Sequence, residues 1–567
     1  MRLRRPVDIW HKPALSAVAA LAIPDLALCA VGRLDLILYT SAGAMCALYA
    51  HGLPYAARAR TLSWVVLGMV AGLGIALTAA SLTTSTALLV VFASLMAAVH
   101  KMVCDATRIG PPGNLILTFI AASAFFVPQR LGEVPLHMAL ALGAGGLAWL
   151  VCMAPALRRP QGPERIAVAR ALEAAVALLR TDPGSAGVEP AGMEPPGMEP
   201  PDVAHARHTA AAAVNVAWHT LFLVTARTPA RAAAQAGLER LLVRAESVLG
   251  HDARSAAAEA ERLGAWAREL RSGRPLPRVV LSAAQAEELV GVADEAREPR
   301  RPAPGRPRGA RAVLARLAPG SPLLPIGARV AVGCVLAGWG SMAVGVGHPY
   351  WAVVTAASIY QANTTLSWQR ALQRTLGNLL GLLLCTALLP LMHLGELAMI
   401  ALALAFQFGA EACITRNYWL GSVCVTPMAL LLTEFGNRLP AGTLIADRWI
   451  DTVMGAAVGL ACCVLVTNRR AADRIEVALG RVAAAEASAL RLLAAGTAPG
   501  ADGARETGWA RDRLAGGLVE LREAVEVAAG EWWQRALPEE RIAHAEQQGH
   551  RALAGLVRQL SAPVPAA

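Results

Sequence analysis

Two arginines one helical turn apart, Arg370 and Arg374, stand just ahead of a glycine pair, Gly377 and Gly381. A guanidinium grips a carboxylate through paired N–H···O bonds, so two of them on one helix face suit the capture of an organic anion. The plainer reading is that both obey the positive-inside bias of membrane loops, and spacing alone leaves the two readings open. Upstream, Gln361, Asn363, Thr364 and Thr365 close an apolar run that opens with Tyr350 and Trp351 and holds Thr355. Tyr and Trp favour the membrane–water boundary, which explains the first pair but not the polar cluster. Downstream, Asp447, Asp451, Gly455 and Gly459 recur every four residues and so share one helix face. Arg448 has the i,i+3 spacing of an ion pair with Asp451, and Thr452 follows. Glycines at that spacing let helices approach closely, as Gly377 and Gly381 also do. Asp25 beside Pro24, and Glu411 ahead of Arg416, are further carboxylates in apolar surroundings. Such groups are costly in a bilayer, which makes Asp25, Asp451 and Glu411 candidate proton carriers; the alternative for Asp25 is a place at the outer surface, facing water.

The elements that must position these groups read as membrane spans. The chain has 567 residues, 55% of them hydrophobic and 5% aromatic. The apolar residues concentrate in two charge-poor blocks, 13–157 and 325–467, with Arg-, Glu- and Ala-rich segments between and after them. A bilayer core needs about 20 apolar residues per helix. Six spans fit the first block (13–32, 35–53, 62–80, 85–103, 114–130, 136–156) and six the second (326–346, 349–366, 372–391, 396–413, 417–434, 447–467). With the N-terminus inside, Arg2, Arg4, Arg5, Lys12, Arg58, Arg60, Lys101, Arg108, Arg158 and Arg159 fall on inner loops, and Arg33 and Arg130 outside. The second block agrees, with Arg370, Arg374, Arg416, Arg469 and Arg470 inside and Arg438 and Arg448 outside. Both blocks run in the same direction. RTLSWVVLG at 60–68 parallels RTLGNLLGL at 374–382, and GAGGLAWLVCMAPALRR at 143–159 parallels GAAVGLACCVLVTNRR at 455–470. The predicted fold is therefore all-α and polytopic, two parallel six-span halves (1–157 and 317–468) with a path between them.

Two soluble helical regions, 158–316 and 469–567, are expected on the cytoplasmic side with both termini. The first is interrupted by a disordered loop, 181–203, carrying the repeat GVEPAGMEPPGMEPPD, and ends in the basic proline-rich linker REPRRPAPGRPRGAR at 297–311. The tail reads as two to four amphipathic helices, with Trp532-Trp533 anchoring the two regions to each other.

Several chemistries find no support. Lys12 and Lys101 are the only lysines and neither follows a glycine, so no P-loop exists. No HExxH and no nucleophile setting is present, and the chain reads as a non-enzyme. The ten cysteines lie in or beside apolar segments without a CxxC, and His205 and His208 lack partners, so neither a metal nor a cofactor is expected. The net charge of +11 lacks the aromatic-interleaved basic runs of a nucleic-acid binder. The expected partners are the bilayer and a small organic anion; a homo-oligomer stays open.

The second block resembles the fusaric-acid-resistance-like (FUSC) family, which includes the aromatic acid exporters. The resemblance rests, in order, on YWAVVTAASIYQ with QRALQRTLGNLLG, NYWLGSVCVTPMALLL at 417–432 and DRWIDTVMGAAVGL at 447–460. The first block shares only the layout of spans, and Ser63 stands where the family pattern has glycine. The resemblance implies a bacterial inner-membrane transporter, associated with proton-coupled efflux of aromatic carboxylic acids and related toxic compounds. The matching positions are Tyr350, Trp351, Thr355, Arg370, Arg374, Gly377, Gly381, Arg448, Asp451, Thr452 and Gly455, and Asn378 stands where the family often has threonine. Gln361 and Asn363 join the candidate path from their position alone. Two rival functions stay open: a passive organic-anion channel, whose layout plant malate channels share, and a non-transporting envelope scaffold.

Overall fold

The computed structural model describes residues 9–181, 201–224, 228–250, 256–279, 323–392, 394–434, 441–465, 471–495, 501–532 and 537–561, with a few single positions between 313 and 321. The repeat loop, the proline-rich linker, Arg438, Arg469, Arg470 and Trp533 lie outside the described residues. Among those described, all regular structure is helical. The first membrane half is α1 (His11–Val31), α2 (Ile37–Ala44, lengthened by 3-10 turns at both ends), α3 (Tyr55–Leu82), α4 (Thr86–Thr107), α5 (Leu115–Ala124) and α6 (Val134–Met153). Four helices follow: α7 (Gly162–Thr181), α8 (Pro201–Phe222), α9 (Pro229–Ser247) and α10 (Ala256–Ser272). The second half is α11 (Leu324–Ala343), α12 (Tyr350–Ile359), α13 (Thr364–Met392), α14 (Glu396–Ile414), α15 (Tyr418–Glu434) and α16 (Ala441–Leu465). The tail is α17 (Ala471–Ala495), α18 (Ala501–Ala529) and α19 (Glu539–Ser561).

Eight of the twelve membrane helices are long and apolar enough to cross a bilayer. The second and fifth of each half are the shorter ones: Leu34–Leu48, Leu115–Ala124, Tyr350–Ile359 and Tyr418–Leu432. A short helix is tolerated where protein, not lipid, surrounds its backbone. All ten residues of α12 are buried. Large apolar side chains elsewhere face outward, such as Trp64, Ile75, Leu383 and Leu397, and make the lipid-facing belt.

The repeat seen in the sequence recurs in the packing. In both halves the second helix packs on the sixth, the third on the fifth and sixth, the fourth on the fifth, and the first on the second and sixth. The halves meet reciprocally: α1 lies against α14 as α4 lies against α11, and α2 touches α15 as α5 touches α12. That reciprocity is a pseudo-twofold along the bundle, the arrangement of parallel repeats. The equivalence of Arg60 with Arg374 does not extend to their surroundings. Arg60 is exposed, whereas the buried arginine of α3 is Arg58, which donates to the carbonyls of Ala50, His51 and Leu53 and closes the turn before its own helix.

Several span boundaries differ from expectation, and two of them bear on the candidate residues. α13 begins at Thr364 and α16 at Ala441, so Arg370, Arg374 and Arg448 are helix-interior residues and not loop charges. The hydropathy of the stretch is lowered by polar side chains that face protein partners, and the helix continues through them.

Helices α7–α10 and α17–α19 share one apolar core at one end of the bundle. A buried ion pair ties the two segments: Arg511 Nε on α18 lies 3.0 Å from Glu246 Oε1 on α9, and Trp218 Nε1 on α8 donates to Glu246 Oε2 at 2.9 Å. Removing one partner of such a pair strands the other charge. Arg511→Met is therefore expected to lower the stability of this helical domain by about 3–5 kcal/mol, read as earlier thermal unfolding and faster proteolysis of the purified full chain. His550 on α19 packs edge-on against His208 of α8, and burial, with His208 and Arg207 nearby, pushes its imidazole down from 6.5 to about 3. The unfolded chain thus binds a proton that the folded domain refuses. Stability is full above about pH 6.5 and falls below it by about 1.4 kcal/mol per pH unit, until the folded value is reached. A pH series of melting curves checks this; His550→Phe should flatten the slope between pH 4 and 6, in about that proportion.

Candidate functional site

The sequence candidates converge in the second half, on α12, α13, α15 and α16. The convergence starts from small residues. A Cβ built on Gly455 of α16 would lie 2.6 Å from the Ala352 carbonyl oxygen and 2.8 Å from Thr355 Cβ, both on α12. Gly377 and Gly381 of α13 meet α15 in the same way, at the Trp419 and Val423 carbonyl oxygens, 2.6 and 2.9 Å from a built Cβ. Backbones this close bring the polar side chains of four helices into one buried layer.

At its centre Arg448 is 1% exposed, with its guanidinium carbon 3.6 Å from the centre of the Trp351 ring. Its Nε and Nη1 have no hydrogen-bond partner. Arg374, also buried, donates from Nη1 to Tyr418 Oη at 3.0 Å, and Arg370 stacks over the Tyr418 ring at 3.7 Å while donating to Gln361 Oε1 at 3.3 Å. Arg374, Tyr418, Tyr350 and Asp451 all interact electrostatically with Arg448. Below them Asn378 donates to Thr452 Oγ1 at 2.6 Å and accepts from Thr426 Oγ1 at 2.9 Å. The first half supplies an aromatic wall: Phe119 lies 5.4 Å from Trp351 and Phe126 5.6 Å from Tyr350, ring centre to ring centre.

Not every candidate sits as expected. Arg448 and Asp451 do not form the ion pair their spacing suggests; Asp451 Oδ1 instead accepts from Ser341 Oγ of α11, and Oδ2 has no partner. Helix geometry lets Arg448 turn to the Trp351 face, where the ring quadrupole holds the cation. Asp447 accepts from His348 Nδ1 at 3.1 Å and from the Gly347 amide, so it fastens the loop before α12. Thr355 Oγ1 is buried without a partner. Asp25 is buried, 2% exposed, which excludes a water-facing place, and its Oδ1 has no partner. Glu411 is half-buried on α14 and forms no ion pair among the described residues.

Within the polar cluster after α12, Gln361 joins Arg370, and Asn363, Thr364 and Thr365 bond the helical domain. Asn363 Nδ2 donates to the Glu526 carbonyl at 3.1 Å, Thr364 Oγ1 donates to Glu531 Oε2 at 2.5 Å, and the Thr365 amide donates to the Gly530 carbonyl at 2.9 Å. Trp532 donates from Nε1 to Thr365 Oγ1 and packs near Trp368. Trp532 thus anchors the helical domain to the membrane half, and not the two helical segments to each other. Of the site's members, Tyr418, Ser341, Thr426 and Phe119 went unassigned in the sequence. Tyr418 and Thr426 fall within the motif NYWLGSVCVTPMALLL, and Ser341 and Phe119 left no signal. A separate cavity of about 230 Å³ lies between His51 and α7–α8. Its wall is largely apolar and no candidate residue reaches it.

Fold and site define a polytopic, all-helical membrane protein with a buried cationic cluster in its second half. Residues 332–462 match the family described as fusaric acid resistance protein-like, and the stretches that carry the sequence resemblance all fall within that span. Two curated relatives align in part. The uncharacterized membrane protein YvaC of Bacillus subtilis is 29% identical over 194 residues, 34% of this chain and 29% of that protein. The uncharacterized protein slr1298 of Synechocystis sp. is 27% identical over 140 residues, 25% of this chain and 18% of that protein. Each alignment thus spans less than a third of the relative's own length. No solved structure gives a significant match.

The glycine contacts set a graded expectation. A Cβ on Gly459 would lie no closer than 3.3 Å to its neighbours, against 2.6 Å at Gly455. Gly455→Ala should therefore cost about 1–3 kcal/mol and Gly459→Ala about 1 kcal/mol or less, in thermal unfolding of the detergent-purified protein. Equal effects at the two positions would show that the backbone approach at Ala352 is not what fixes α12 on α16.

Proposed function

We propose that the protein is a secondary transporter that exports organic carboxylates, aromatic ones foremost, across the bacterial inner membrane with protons as the coupling ion. The observation that carries this reading is Arg448: a cation buried on an aromatic face, with two N–H donors unused. An unpaired buried guanidinium costs several kcal/mol, of which a desolvated ring contact returns about 2. Donors left free at that cost are what an incoming carboxylate needs. Arg374 and Arg370 add positive charge, and Trp351, Tyr350 and Phe119 offer ring faces for an aromatic body. The family description supports the class, because fusaric acid is itself an aromatic carboxylic acid. Asp451, with Oδ2 unpartnered beside Arg448, is the carboxylate best placed to answer the substrate's charge; Asp25 and Glu411 are the other proton candidates. The positive-inside bias of the basic loops supports a cytoplasmic position for both termini and the helical domain.

Purified full chain in liposomes is expected to concentrate an aromatic carboxylate against its gradient when a pH gradient is imposed. Purely downhill, electrogenic flux would make the protein a channel. Arg448→Met should weaken substrate binding about ten- to a hundredfold, the worth of a charge-assisted hydrogen bond, with melting temperature unchanged or raised, because an apolar side chain replaces a buried charge. Arg374→Ala and Asp451→Asn should abolish export while leaving insertion intact. Normal export by all three variants would reduce these residues to structural roles.

A further inference from the structure

The pseudo-twofold places a second site in the first half. Tyr39 of α2 stacks on His137 of α6, ring centres 3.7 Å apart and planes within 6°. Trp351 and Arg448 make the corresponding contact between α12 and α16. The register agrees. Tyr39 lies one turn before Gly43, whose built Cβ meets the Ala141 carbonyl and Gly145 amide of α6, as Trp351 lies one turn before Thr355 at Gly455. His137 and Arg448 each lie about two turns before the glycine of α6 or α16 at that contact. Where the second half carries a permanent cation, the first half carries a ring that gains and loses its charge.

The surroundings of His137 differ accordingly. His137 is 6% exposed and its Nδ1 has no hydrogen-bond partner. The charged groups acting on it are Glu133 from the turn before α6, and Asp35 and Arg33 from the turn before α2. Arg33 is already bound to Asp35, by bonds of 3.0 Å from Nε and Nη2. Tyr39 donates to Gln129 Oε1 at 3.1 Å, and Gln129 Nε2 in turn donates to Glu133 Oε2 at 3.3 Å. Of the other helices packed on α6, α1 brings Asp25, and α3 has its charged groups, Arg58 and Arg60, at the opposite end. Asp35 and Glu133 are exposed at the end of the bundle away from the helical domain, so the buried imidazole lies one layer beneath a carboxylate-lined surface. A proton arriving there meets acceptors of increasing burial, ending at a ring nitrogen with no competing partner.

We infer that His137, stacked on Tyr39 and fed by Glu133, binds the coupled proton, as the first-half counterpart of the second-half anion site. In this scheme a proton enters from the outer carboxylates and adds to the free ring nitrogen of His137. The ring becomes a cation opposite Glu133 and Asp35, and the proton leaves on the return. The inference rests on the export reading above, and two arms keep the two apart. In liposomes holding a lumenal pH dye, His137→Gln should cut substrate-dependent proton flux about tenfold or more and remove the pH dependence of export, with downhill substrate movement still measurable. Glu133→Gln, at an exposed position, should displace the pH profile of export toward acid. Undiminished proton flux through His137→Gln overturns the inference while leaving the exporter standing. Should the parent chain move no carboxylate, the proton site is still judged by hydrogen–deuterium exchange at the imidazole C2, read by mass spectrometry on the full chain. His137 should then change protonation state across the assayed pH range and respond to Glu133→Gln. A ring that stays in one protonation state across that range, or ignores Glu133, overturns it.

Discussion

The second half is organised around a guanidinium that has no counter-ion among the described residues. Arg448 is held by a ring face and not by a carboxylate, and this requires Trp351 to stand directly beside α16. That proximity exists only because Gly455 lets α12 approach to the distance of backbone contact. The chain of cause runs from a missing Cβ, to a helix spacing, to a cation–ring contact, to two free N–H donors. Pairing with Asp451 would have satisfied the arginine and closed the site. Instead Ser341 occupies that carboxylate, so the acid and the base remain separately available.

The short helices explain how such a layer survives inside a membrane. Helices α2, α5, α12 and α15 end before they would span, and in each half they occupy the second and fifth places. These four also meet across the pseudo-twofold. Irregular and polar backbone is thereby confined to the protein-lined centre, and the eight long helices carry the lipid-facing surface. One architecture, used twice, then carries opposite electrostatics: arginines in the second half, an imidazole with carboxylates in the first.

How much of this could be read in advance depends on the kind of signal. The membrane helices followed from hydropathy, because the bilayer imposes a length rule on every span. The glycine face of α16 followed from spacing alone. The partners of those faces did not follow, since spacing names a stripe but not the helix that covers it. Arg448 and Asp451 have ideal ion-pair spacing and yet face different helices. Tyr418 and Ser341 are ordinary residues in apolar runs, and only the packing of α15 and α11 makes them part of the site. The register of Tyr39 with Trp351 was equally hidden, because the two share a place in the packing and not an amino acid.

The polar turn after α12 shows the same limit from the other side. Its hydrogen-bonding groups look like a ligand site in sequence because a membrane chain has few reasons to keep them. The structure supplies the reason: Glu526, Gly530, Glu531 and Trp532 of the helical domain take up Asn363, Thr364 and Thr365. This turn joins α12, which carries Trp351, to α13, which carries Arg370 and Arg374. The two walls of the cationic layer therefore share one turn, and the helical domain is bonded to that turn. Any displacement of α13 relative to α12 must either carry the end of α18 with it or break the contacts at Glu531 and Trp532. The helical domain is in this way a mechanical constraint on the cluster, although none of its side chains hydrogen-bonds the cluster's arginines among the described residues.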